Sequence, residues 1–131
     1  MSLPVVRKHT DAVIAALVAE GVTVGDCTAP DAAPPYVIVY PIAGGSTTGT
    51  LAAPDEDAVF VYQVTCVGVS RRQAEWLEDR ALHLLTTTFW VPGRKIVRVS
   101  LDMHGGVQCD NQVTPPVFWS VPRFRIISTP A

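Results

Sequence analysis

Residues 57–67 carry the clearest two-residue period of the chain. Val59, Val61, Gln63, Thr65 and Val67 fall on one side, and Phe60, Tyr62, Val64 and Cys66 on the other, because successive side chains of a strand point to opposite faces. From Ser70 the period changes. Ala74, Leu77, Ala81, Leu84 and Leu85 recur at helical spacing, and Ser70 with Gln73 has the S-x-x-Q form of a capping box, in which each side chain satisfies a free backbone donor at a helix start. The spacing predicts a strand running straight into an amphipathic helix that ends near Leu85.

A first helix is expected over about 3–20, with Ser2 and Pro4 suiting its start and Leu3, Val6, Val13, Ile14, Leu17 and Val18 forming its stripe. Gly21 is a plausible stop, and Val22, Val24, Pro30, Pro34 and Pro35 read as an extended, proline-punctuated connection. Tyr36–Tyr40 is an unbroken apolar strand that Pro41 ends, with both faces covered. The segment 43–57, holding Gly44, Gly45, Gly49 and Pro54, reads as a flexible loop. After a turn at Pro92 and Gly93, strands return at Ile96–Asp102, near Val107, and at Val117–Ile127. Pro122 interrupts the last of these, which points to a sheet edge or a bulge.

The element order is helix, two strands, helix, then two or three strands. It predicts one α+β domain over residues 1–131, with a mostly antiparallel sheet of four to five strands packed against two helices. The 48% hydrophobic and 17% charged composition is that of a globular chain. No apolar run approaches the roughly 20 residues of a membrane span, and a signal-peptide pattern is absent from the N-terminus, so the chain reads as cytosolic. A net charge of −2 offers no strong footprint for nucleic acid.

Chemistry is sparse. Cys27, Cys66 and Cys109 lack zinc-ligand spacing and read as buried or neutral thiols. GGSTTG lacks the lysine that a phosphate loop needs, which leaves a contact loop as the better reading. Asp102, His104, Cys109 and Asp110 are ligand types around a glycine turn, but their spacing fits no metal pattern and a polar hairpin tip is the simpler expectation. Without a G-x-S-x-G elbow or similar constellation, Ser, His and Asp suggest no triad. His9 and His83 sit among charges on helices and read as solvated. Arg123 and Arg125 flank Phe124 in a pattern that suits a nucleic-acid strand, though the acidic whole favours ion pairs between subunits. Trp76, Trp90 and Trp119 suit a core or an interface.

Four segments, in order, carry a resemblance: PYVIVYPIAGG (35–45), YQVTCVGVSRRQAEWLEDR (62–80), PGRKIVRVSLD (92–102) and VTPPVFWSVPRFRIISTPA (113–131). Together they resemble the tail terminator proteins of long-tailed phages. Pro122 departs from the pattern, where an acidic residue would precede RFR. The resemblance implies a structural virion protein without catalysis, cofactor or metal. It implies a ring, six subunits in the family pattern, that caps the completed tail tube at the neck and joins it to the head-side connector. Its partners would be the major tail tube protein on one face and a connector or adaptor protein on the other, with double-stranded DNA passing through the lumen without specific binding. Expected interface residues are Ser46, Thr47, Thr48, Asp55, Glu56, Asp57, Arg94, Trp119, Arg123 and Arg125, with the acidic run 55–57 suited to a DNA-repelling lumen. Two other readings are a head-completion adaptor ring and a small metal- or ligand-binding α+β domain.

Overall fold

The computed structural model describes residues 6–47 and 57–131. Helix α1 spans Val6–Val18 and α2 Arg71–Thr87; the strands are β1 Val24–Asp26, β2 Tyr36–Thr47, β3 Asp57–Gly68, β4 Arg94–Met103, β5 Val107–Asp110, β6 Val117–Ser120 and β7 Arg123–Pro130. The class is α+β as expected, but the sheet has seven strands and is mixed rather than mostly antiparallel. Its parallel pair is β1 with β2, where Val24 lies opposite Val37.

Strand β3 is the axis of the sheet. Along its whole length it pairs antiparallel with β2 on one side. On its other side two strands share it: β7 pairs with residues 58–63 and β6 with Cys66–Gly68. The sheet therefore forks into a β7–β4 arm and a β6–β5 arm. Pro122 sits at the fork. Lacking an N–H, it cannot extend a ladder, yet its carbonyl accepts from the Val64 amide at 3.0 Å. The expected edge strand is thus two strands, both beside the central one.

Two further expectations are corrected along β1 and β2. The connection after Gly21 contains β1, where Gly25 is obligatory in practice, since a Cβ there would meet the Thr28 carbonyl oxygen at 2.0 Å. Strand β2 does not stop at Pro41. It runs to Thr47 with a register shift between Pro41 and Ala43, so residues 43–47 of the expected loop are paired with 57–61. Strand β1 covers only Val37–Val39, so from Tyr40 onward β2 has an open side among the described residues, where proline is tolerated.

Alternation on β3 decides the layers. Phe60, Tyr62, Val64 and Cys66 are buried against the helices, with Val37 and Val39 from β2 and Phe124 and Ile126 from β7. Helix α2 contributes the expected stripe Ala74, Leu77, Ala81, Leu84 and Leu85, all buried. Ser70 caps it by accepting from the Gln73 amide at 3.1 Å. The reciprocal arm reaches one residue further than a simple capping box, with Gln73 Oε1 accepting from the Val69 amide at 2.8 Å. Helix α1 turns in Val13 and Leu17, while Val6 and Val18 of its expected stripe are exposed.

A polar link ties α1 to the far arm. His9, wholly buried rather than solvated, packs against Phe60 at a tilt with centroids 4.6 Å apart and bonds Ser128 Oγ through Nε2 at 2.7 Å. Arg94 donates from Nε to the same hydroxyl and from Nη2 to the Ser128 carbonyl. Thr10 and Tyr62 join hydroxyls at 3.1 Å nearby. Burial holds the Tyr62 phenol above its usual pKa, a rise that the Thr10 bond opposes.

Candidate interaction face

Both helices cover one side of the sheet; the other side is the candidate site. Because β3 is central, its odd-numbered residues define that open face. Val59, Val61 and Gln63 are half-buried there, and Thr65 and Val67 are buried near the end shared with β6. Cross-strand register places Ile127 beside Val59, Arg125 beside Val61, Arg123 beside Gln63 and Trp119 beside Val67. Partners directly opposite in an antiparallel pair share a face. Three of the expected interface residues, Trp119, Arg123 and Arg125, therefore lie together, and Asp57 opens the same face at its far end.

Each arginine already has a partner within the chain. Arg125 Nη2 lies 3.3 Å from Asp102 Oδ1, and Arg123 Nε donates to Gln63 Oε1 at 3.3 Å. Phe124 between them is fully buried on the helix side. The strand-binding pattern of charge and stacking fails for that reason: neighbouring positions of a strand cannot serve one face.

Register also brings two cations the sequence did not single out. Lys95 and Arg98 of β4 pair with Thr129 and Ile127, so they join Arg123 and Arg125 on the open face. Both are exposed, and neither enters an ion pair among the described residues. Four of the ten basic residues thus line one arm of a chain whose net charge is −2.

The other expected positions fall elsewhere. Arg94 is buried on the helix side at Ser128 and is part of the fold rather than of an exposed contact surface. Ser46 and Thr47 lie in β2 opposite Ala58 and Asp57. Thr48, Asp55 and Glu56 lie outside the described residues. Trp76 and Trp90 are 56% and 67% exposed, well away from a core role.

The four ligand-type residues of the glycine turn do not converge. Asp102 holds Arg125, and His104 Nδ1 lies 2.5 Å from Glu78 Oε1 on α2. Cys109 Sγ faces Asn111, and Asp110 accepts from the Gln112 amide. Among the described residues no group of three or more His, Cys, Asp or Glu is placed to hold a metal ion. Of the thiols, all free, Cys66 is buried and Cys27 and Cys109 are exposed.

Sequence reasoning missed His9 and Glu78. Their signal was helical phase: His9 precedes Val13 and Leu17 by four and eight residues, which places it on the buried stripe whatever its charged neighbours. No protein-family model matches this sequence, and no curated protein is similar to it.

Proposed function

We propose that this chain is a structural subunit of a phage tail, forming a ring that caps the completed tail tube and joins it to the head-side connector. The four-segment resemblance supplies the family. The observation that carries the reading is the two-sided domain: two helices close one face of the sheet, and the other face leaves valines, Ile127, Trp119 and a line of cations half-covered or exposed. A subunit with unlike faces makes head-to-tail contacts, and such contacts close into a ring when their rotation closes. The edges β4 and β5 add unpaired backbone groups of the kind that another chain can use. A ring of six, with the tube protein on one side and the connector on the other, follows from the resemblance. DNA passes through its lumen without specific binding.

Electron microscopy of virions carrying a labelled copy tests this. A ring at the head-proximal end of the tail is expected; label only inside the capsid or only at the distal tip refutes it. Loss of the protein is expected to release overlong tubes. Tails of normal length would instead indicate an adaptor nearer the portal.

A further inference from the structure

On the side of the molecule away from the open face, α2 and the underside of β4 enclose a groove of about 260 Å³. It is lined by Glu75, Glu78, Asp79, Leu82, Leu101 and His104. Three carboxylates meet two leucines there; Trp76 lies outside it, exposed in an adjoining pocket that Arg71, Arg72, Glu75 and Asp79 also line. Arg71 holds Glu75 and His104 holds Glu78, while Asp79 enters no ion pair among the described residues. A carboxylate cluster with an unpaired aspartate at its edge is suited to a guanidinium, which gains an ion pair there.

The same chain carries the matching surface on its opposite side. Lys95 and Arg98 stand exposed on β4, next to Arg125 and Ile127. Acidic groove and basic arm are set back to back across the helix and sheet layers. We propose that the groove of one copy receives the Lys95 and Arg98 arm of a second copy of this chain, head to tail. The inference rests on the ring reading and deepens it by naming the two surfaces in contact. Complementary charge favours a second copy over nucleic acid: docking consumes the basic arm, the part of the open face among the described residues that would attract phosphate, and leaves the mildly acidic remainder to any lumen.

The test uses two charge reversals on the full chain: Glu75→Lys with Asp79→Lys in the groove, and Lys95→Glu with Arg98→Glu on the arm. All four positions are exposed, and thermal melts check that each protein folds. Sedimentation at low salt should show the wild type self-associating, and each reversed protein should associate at least tenfold more weakly. An equimolar mixture should recover association, because each reversed surface then meets its complement on the other protein. The milder Asp79→Asn and Arg98→Gln proteins should weaken association in the same direction and carry the test if a reversal unfolds. A wild type that stays monomeric up to millimolar concentration, a reversal without effect, or a mixture that fails to recover each overturns the contact. The ring reading is scored separately by location. Reversed protein still forming a ring at the neck removes this contact and keeps the ring, whereas wild-type protein absent from the neck, with reversed proteins whose mixture recovers association, keeps the contact and removes the ring.

Discussion

The Cys66 thiol tests how tightly the core closes where the sheet forks. It lies fully buried on β3, in register with Ser120 of β6 and under α2. Burial first, and the charge of Glu78 second, push its pKa from 9.0 up to about 12, and Ser120 acts the other way. The Ser120 hydroxyl is itself buried without a hydrogen bond of proper geometry, so its opposing pull is the weaker influence. A group whose pKa is raised by folding leaves stability intact below the unfolded value and removes it as pH climbs toward the folded one. With 9.0 unfolded and about 12 folded, roughly 1 kcal/mol should be lost by pH 10 and about 4 kcal/mol by pH 12. Cys66→Ala removes the titration and costs about 1–2 kcal/mol at pH 7 through lost packing. Urea unfolding of both proteins at pH 7 and pH 10 isolates the thiol, since every other group is common to the two. The stability gap between them should shrink by about 1 kcal/mol on going to pH 10. A gap that stays constant would mean that Cys66 titrates alike in both states, and the closed junction of β3, β6 and α2 would be wrong.

Phe124→Ala should cost about 3–5 kcal/mol in urea unfolding, because the ring is wholly buried, whereas Arg125→Ala one position on should stay within about 1 kcal/mol, its pair with Asp102 being partly exposed. Comparable losses would refute the assignment of faces on β7. Ser70→Ala should remove about 1 kcal/mol by deleting the acceptor for the Gln73 amide, measured as a lower thermal midpoint. Gly25→Ala should cost roughly 1–3 kcal/mol, since the new methyl would collide with the Thr28 carbonyl; an unchanged midpoint would contradict the tight turn after β1.

The strand and helix at 57–87 were legible because one period ran long enough to fix both face and length. Every residue of the α2 stripe is buried as its spacing required. Between Gly21 and Thr47 the Tyr36–Tyr40 strand was legible, but β1 and the continuation of β2 were not, for two physical reasons. Strand β1 has only three residues, too few to show alternation, and it is held by its pairing with β2. Residues 43–47 include Gly44 and Gly45, which have no side chains to alternate; pairing with the apolar β3 makes them a strand, a case of context overriding propensity. Pro122 was read correctly as an interruption, but its position needed knowledge that a single long strand can serve two partners in succession.

The candidate face exposes a different limit, one of averaging. Net charge describes a whole chain, whereas binding depends on which charges share a side. In the run Arg94 to Arg98, strand parity and the register shift after Ile96 send Arg94 into the interior at Ser128 and Lys95 and Arg98 to the open face. In Arg123 to Arg125, parity sends both cations outward and Phe124 inward. Two short segments, distant in sequence, thereby build one basic arm on a chain that is acidic in sum. The parity of each segment was readable separately; their adjacency was not, because it depends on β4 pairing with β7 across an intervening β5 and β6. The same pairing puts Leu101 and His104 under α2, where they complete the acidic groove. Basic arm and acidic groove therefore have a single structural cause, so a change that displaces β4 should weaken both surfaces together, whereas the charge reversals alter one at a time.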